Sequence, residues 1–251
     1  MKPVDTLLKI LYEERGEKVP AIPEERKFGR FRALVNVRMP KEAKKEFLEA
    51  EKEYLAELLS ARGVTDIADL APLKDDLYLW QGDITTLKVG AIVNAANPSL
   101  LGCFVPNHLC IDNAIHTFAG VSLRAECARI MEKQGSPEPT GKAKITLGYN
   151  LPAKYVIHTV GPVVYGALNE THKKLLASSY ESCLSVADER KIESVAFCCI
   201  STGEFRFPNE EAAKIAVDTV KEYKKRTGSK VKVVFNVFKD IDLKIYERLL
   251  G

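Results

Sequence analysis

Two cysteines and a histidine, Cys103, His108 and Cys110, fall within eight residues of one another in the stretch NAANPSLLGCFVPNHLCIDNAIHTFAG, residues 94–120. Thiolate and imidazole together form a soft to borderline donor set suited to zinc. Three protein ligands would leave the fourth tetrahedral position open to water or substrate, the composition of a catalytic rather than a structural zinc site. The order C-x4-H-x-C is not a zinc-finger spacing, so spacing alone keeps free thiols as the competing reading. Three other stretches carry groups that a binding site could use. In QGDIT (81–85), Asp83 can accept a hydrogen bond from a ligand amine or hydroxyl, or can simply form a turn. In NAAN (94–97), two amide side chains at a strand end suit ribose hydroxyls, or cap a helix. In ISTGEFRFP (200–208), small and hydroxyl residues can turn several backbone N–H groups toward one phosphate, or make only a strand-end turn; the GK[ST] ending of a Walker loop is absent.

Elements to position these residues can be read from hydrophobic periodicity. From Leu77 onward, LYLWQGD, AIVNAAN, KITLGY, YVIHTV, SVAFCCI and KVVFNVF are short β-branched or aromatic runs. Between and after them, helical patterns are predicted over Ile111–Lys133, Glu170–Arg190, Glu210–Arg226 and Asp240–Leu250. Strands alternating with helices predict an α/β layered domain whose ligands gather at the carboxyl ends of the strands. The first 72 residues read differently, as Lys- and Glu-rich helix. Pro40 suits the first position of a helix that Gly63 would end, with Phe47, Leu48, Tyr54, Leu55, Leu58 and Leu59 on its packed face. We therefore divide the chain into a helical N-terminal extension over 1–72, docked on the main domain over 73–251.

The charge balance excludes general electrostatic attraction to nucleic acid or to an anionic membrane, because 37 basic and 34 acidic side chains leave only +3. The N-terminus lacks a signal-peptide pattern and no apolar run is long enough to span a bilayer, so a cytoplasmic location and reduced cysteines are expected. Adjacent Cys198 and Cys199 would point to opposite faces of a strand, which argues against joint chelation. They read as packing residues, with Cys127 and Cys183.

Taken in order, QGDIT, NAAN, NAIHTFAG, GKAKITLGYNLPAKYVIHTVGP and ISTGEFRFP resemble the macrodomains, modules that bind ADP-ribose, over about residues 75–251. The resemblance implies a three-layer α/β/α fold with a mixed central sheet. It also implies an adenine contact at Asp83 with Ile84, a hold on the distal ribose by Asn97, and a diphosphate cradle of backbone groups from Ser201, Thr202, Gly203, Glu204 and Phe205. Phe207 is expected near the distal ribose or in the core, and Arg206 at a phosphate, at the protein substrate or in solvent. His116 and His158 fall in general macrodomain motifs and read as packed residues, whereas His172 reads as a helix-surface residue. Many hydrolytic macrodomains follow NAAN with a glycine-rich loop; here that loop is longer and carries the three metal-ligand candidates, and CIDNAIH puts Asp112 where the family has its candidate catalytic aspartate. This looks like the zinc-containing class of bacteria and fungi, whose genes often neighbour a sirtuin-type ADP-ribosyltransferase acting on a lipoyl-carrier protein. The activity so implied is zinc-dependent removal of mono-ADP-ribose from a protein side chain, an acidic one, with Asn97 and Asp112 as catalytic residues. A non-catalytic ADP-ribose reader and an O-acetyl-ADP-ribose deacetylase are the alternatives.

Overall fold

Strands buried on both faces of a sheet need near-continuous apolar residues, and the runs AIVNAAN, YVIHTV, SVAFCCI and KVVFNVF supply them. The computed structural model of the chain describes residues 2–251. In chain order its elements are α1 (Pro3–Glu13), α2 (Lys27–Val37), α3 (Lys45–Arg62), β1 (Thr65–Asp66), β2 (Leu77–Gln81), β3 (Leu87–Lys88), β4 (Ala91–Ala95), α4 (Ile111–Ala119), α5 (Val121–Gln134), β5 (Ala143–Leu147), β6 (Tyr155–Thr159), α6 (Glu170–Glu189), β7 (Ser194–Phe197), α7 (Asn209–Thr227), β8 (Lys232–Val237) and α8 (Asp240–Leu250). Six strands form one sheet in the order β2-β8-β7-β4-β6-β5, while β1 and β3 pair separately. All neighbours in the large sheet run parallel except the β5–β6 pair. The central strands are sealed: Ala91, Ile92, Val93, Val195, Ala196, Val233 and Val234 have no exposed surface.

The layers follow from the strand order. After β4 the chain passes through α4 and α5 toward β5 and β6 on one side, whereas β6-α6-β7 and β7-α7-β8 step the other way. Right-handed crossovers taken in opposite directions put their helices on opposite faces. The result is the α/β/α sandwich with a mixed sheet that the motifs implied. Because β2, β8, β7, β4 and β6 are mutually parallel, the loops after β2, β4 and β7 leave from the same edge. At that edge the chain turns from β4 toward one face and from its neighbour β7 toward the other, which opens the crevice where α/β folds bind ligands.

The N-terminal helices have their own apolar cluster, built from Val4, Leu7, Leu8 and Leu11 of α1, Phe31, Leu34 and Val35 of α2, and Phe47, Tyr54 and Leu55 of α3. Phe118 and Val121 of the main domain pack against it. Two expectations are corrected. The helix predicted from Pro40 starts at Lys45 instead, because the Arg38 guanidinium donates to the carbonyls of Lys41 (3.1 Å) and Glu42 (3.4 Å) and holds that segment out of helix. The single helix predicted over Ile111–Lys133 is two, parted by Gly120 at φ 92°. A Cβ on Gly120 would lie 2.5 Å from Glu51 Oε2, and Glu51 Oε1 accepts the Val121 N–H at 3.0 Å, so a side chain from α3 occupies the break.

Burial pushes the Glu51 carboxyl up to about 7, with the Val121 N–H and Arg38 opposing. A folded-state value above that of the unfolded chain makes stability fall as pH rises, from about 4.3 to about 7. The loss is complete above that window and amounts to roughly 4 kcal/mol at most. Glu51→Gln is therefore expected to melt higher than the unaltered protein above pH 7, with the difference closing toward pH 5. Parallel melting curves at both pH values would refute this reading of Glu51.

Candidate functional site

The loop after β4 and the start of α4 bring the three metal-ligand candidates together. The donor atoms of Cys103, His108 and Cys110 all lie within 4.8 Å of one another, and Cys103 Sγ is 3.7 Å from His108 Nδ1. Ligands of a tetrahedral zinc at 2.0–2.3 Å stand about 3.3–3.8 Å apart; the Cys103–His108 separation falls in that range, and a thiolate–imidazole donor set suits that ion. Each of the three is half-buried. Burial pushes the Cys110 thiol up to about 12, with the Asn113 N–H opposing and Cys103 and Asp112 adding to the rise. The other ring nitrogen of His108, Nε2, is 3.6 Å from Glu204 Oε1. That contact joins the loop after β4 to the loop after β7, and it resembles the carboxylate–histidine pairs that orient metal-bound imidazoles. Sequence reasoning had assigned Glu204 only a backbone role.

Asp112 sits at the N-terminal turn of α4, 5% exposed. Its Oδ1 accepts from Asn94 Nδ2 at 2.8 Å and its Oδ2 from Asn97 Nδ2 at 3.3 Å. Burial raises the carboxyl to about 6, while Asn94, Arg124 and Asn97 oppose the rise. Asn97 also donates to the Gly102 carbonyl at 3.0 Å, and its Oδ1 receives the Ser99 N–H at 3.0 Å and the Ser99 hydroxyl at 2.5 Å. It therefore ties the loop entrance to the buried aspartate.

The loop after β7 is shaped for backbone donation. Among the described residues, the N–H groups of Gly203, Glu204 and Phe205 meet no protein acceptor, whereas those of Arg206 and Phe207 close the turn onto Gly203 and Ser201. Ser201 adopts φ 66° and carries a buried hydroxyl without a protein partner. Gly161 makes room for it, since a Cβ there would come within 2.1 Å of Ser201 Oγ. Thr202 donates its hydroxyl to the Cys199 carbonyl at 3.0 Å. Phe207 is 1% exposed and belongs to the core, while Arg206 faces solvent.

At the β2 end, Asp83 caps a short 3-10 turn through the Thr85 N–H at 2.9 Å and pairs its Oδ2 with Arg62 Nη1 at 2.8 Å. Arg62 comes from α3 and also lies over the Phe118 ring, 3.7 Å from its centroid. Ile84 is buried and anchors this turn.

A second close group, His116, Cys127 and His158, is fully buried. His158 takes its hydrogen bonds from within the protein, Nδ1 facing Asn94 at 3.2 Å and Nε2 facing Thr146 at 2.9 Å, and burial pushes it down to about 3. Burial likewise holds His116 well below the usual imidazole range. Both are buried packing residues, and His116 Nε2 lies 3.6 Å from Asp112 Oδ1. His172 caps α6 through a reciprocal pair with Asn169. Cys198 and Cys199 lie just past the end of β7, outside either cluster.

The residues missed by sequence reasoning come from elsewhere. Arg32 Nη2 donates to the His108 carbonyl at 2.8 Å and to Asn113 Oδ1 at 2.9 Å, and Asn36 Oδ1 receives the Asn107 N–H at 2.9 Å. They stand 71 to 81 positions away from these partners, and no local pattern announces them.

Comparison with known proteins agrees with this geometry. The family profile described as Macro domain matches residues 93–216. The chain is 51% identical over 252 residues to a protein-ADP-ribose hydrolase of Treponema medium, covering 99% of this chain and 96% of that protein. It is 54% identical over 219 residues to a protein-ADP-ribose hydrolase of Staphylococcus aureus strain MSSA476, covering 86% and 82% respectively. The crystal structure of a Trypanosoma brucei macrodomain in complex with ADP-ribose superposes with a TM-score of 0.67 at 30% identity, covering 88% of this chain and 95% of that one. With the chain leaving β4 and its neighbour β7 in opposite directions, backbone donors gathered on the loop after β7 and a relative 51% identical across 99% of the sequence, the chain belongs to the macrodomain family.

Proposed function

We propose that this macrodomain is a hydrolase that releases mono-ADP-ribose from an acidic side chain of a modified protein, with zinc held by Cys103, His108 and Cys110. The likeness to relatives named protein-ADP-ribose hydrolases supports the reaction class. The observation that carries the zinc-assisted form is the convergence of three donor atoms within 4.8 Å on the loop entering α4. When bound, zinc supplies a Lewis acid that can polarise an oxygen or acidify a water.

The protein's own groups do the rest. Gly203, Glu204 and Phe205 offer their free N–H groups to the diphosphate, and the Ser201 hydroxyl is available to the same oxygens. Asp83 accepts from the adenine amine through its partly exposed carboxylate, and Ile84 keeps that turn in place. Thr202 closes the diphosphate loop at its base. Asn97 holds the distal ribose and orients Asp112. Asp112 takes a proton from the attacking water, the bond between ribose and side-chain carboxyl breaks, and the carboxylate departs with the electron pair. A buried carboxyl raised to about 6 is suited to exchanging a proton near neutral pH. Glu204 keeps the His108 ring turned toward the thiols.

The acceptor proposed is a lipoyl-carrier protein modified by a sirtuin-type transferase. Protein stripped with a chelator is expected to lose release of ADP-ribose from such a carrier and to regain it with about one zinc per chain. Full turnover by metal-free protein would overturn the metal's role. Tight ADP-ribose binding without release by the zinc-loaded protein would make the domain a reader instead.

A further inference from the structure

The N-terminal helices make a second set of contacts besides their own apolar cluster, and these converge on the loop that carries the metal-ligand candidates. Arg32, on α2, reaches Asn113 Oδ1 with both Nε (3.1 Å) and Nη2 (2.9 Å), and Nη2 also donates to the His108 carbonyl at 2.8 Å. Asn113 in turn donates its amide to the carbonyls of Val105 (3.0 Å) and Cys103 (3.4 Å), and its N–H to Cys110 Sγ at 3.4 Å. One turn further along α2, the buried Asn36 accepts the Asn107 N–H at 2.9 Å and donates to Thr117 Oγ1 at 3.1 Å. From the main domain, Arg124 fastens the same seam: it donates to the carbonyl of Leu101 (2.7 Å) just ahead of Cys103, and to those of Val35 (2.9 Å) and Arg38 (2.6 Å) at the end of α2. Cys103, Val105, Asn107, His108 and Cys110 are thus all tied, directly or through Asn113, to two side chains of one remote helix.

A loop free to move samples many separations of its donor atoms, and each must be ordered before a metal can be held. Side chains that prepay this ordering raise affinity without touching the metal, as hydrogen bonds to a ligand's outer atoms do. The planar fork of Arg32 donates to two partners at once, which a flexible lysine ammonium could not reproduce.

We propose that α2 of the N-terminal unit is part of the metal site, with Arg32 and Asn36 as positioning residues that hold Cys103, His108 and Cys110 at chelating distances. This rests on the zinc reading given above. Neither residue touches the metal or the substrate; they act through Asn113 and the loop backbone. The N-terminal unit is thereby coupled to the chemistry of the crevice, beyond bracing the domain.

The test measures zinc affinity of the stripped full-length protein by competition with a chromophoric chelator, and the visible spectrum of the Co2+-substituted form. It compares the unaltered protein with Arg32→Met, Asn36→Ala and, as a control, Arg30→Ala, an exposed residue of the same helix. Arg32→Met and Asn36→Ala are each expected to weaken zinc binding about 10- to 100-fold and to alter the Co2+ bands. Arg30→Ala is expected to leave both unchanged. Melting temperature and circular dichroism report folding, and Asn36→Ala carries the test should Arg32→Met not fold. Unaltered zinc affinity and unaltered Co2+ bands in a folded Arg32→Met or Asn36→Ala would overturn the proposal, even with a lowered melting temperature. Failure of the unaltered protein to bind zinc is a different result: it would overturn the metal reading itself, and the positioning role with it.

Discussion

Cys103→Ala is expected to abolish zinc retention and to reduce release of ADP-ribose from a modified protein at least about 100-fold, while the protein still folds and binds ADP-ribose. The expectation follows from where Cys103 sits. Its sulfur is one of three donors within 4.8 Å of each other, and it lies 3.7 Å from His108 Nδ1. On the proposed zinc site its removal would leave only two protein ligands, too few for a stable tetrahedral site, and the cost in zinc affinity should exceed the 10- to 100-fold typical of changes to outer partners. The side chain is half-buried in a loop whose path is held by other groups, namely Arg32, Asn36 and Asn113. Measured against the unaltered protein without zinc, loss of stability should therefore stay within about 1 kcal/mol. The proposed diphosphate cradle belongs to a different loop, after β7, so ADP-ribose binding is expected to survive within a few-fold. Zinc content by elemental analysis, ADP-ribose titration calorimetry and release of label from the carrier protein check the three parts. Unchanged turnover in a Cys103→Ala protein without zinc would defeat the assignment.

Asp112→Asn should lower kcat by about 100- to 10,000-fold, the range expected when a positioned general base is lost, with zinc content unchanged and the affinity for ADP-ribose altered only a few-fold. Asp112 is buried, and both of its oxygens accept amide hydrogens, from Asn94 at 2.8 Å and Asn97 at 3.3 Å. Asparagine keeps the shape but must turn one N–H2 toward another amide donor, so a loss of stability of about 1–3 kcal/mol accompanies the substitution. The two effects separate kinetically. A positioned base shows its loss in kcat at temperatures where the variant is folded, whereas a purely structural aspartate would lower the melting temperature and leave kcat intact. That second outcome would remove Asp112 from the reaction.

Sheet strands and most helices could be read from the chain because their causes are local. Strands buried on both faces, such as Ala91–Ala95 and Lys232–Val237, had to be apolar runs. The helix over Asp240–Leu250 could be read to its ends. Where the reading failed, a distant residue was responsible. Glu51 of α3 receives the Val121 N–H and occupies the break at Gly120, and the Arg38 guanidinium takes the carbonyls that a helix from Pro40 would have needed.

The candidate site divides in the same way. Cys103, His108 and Cys110 stood out as a group because eight residues hold them, a matter of residue type and spacing that the sequence by itself determines. Asp83, Asn97, Asp112 and the Ser201–Phe205 turn stood out through the resemblance of their short motifs to those of the macrodomains. Tertiary structure alone decided that the loops after β4 and β7 meet, at His108 and Glu204, because that depends on β4 and β7 being neighbours in the sheet. It also decided that Asn94 and Asn97 converge on one buried carboxylate, and that Arg32 and Asn36 of a separate helical unit reach the loop that carries Cys103, His108 and Cys110. The physical reason is the range of the forces. Periodicity and turn chemistry act over a few residues and leave their mark on the local sequence, whereas a hydrogen bond between positions 70 to 80 apart exists only after the core has packed and brought its two partners into reach.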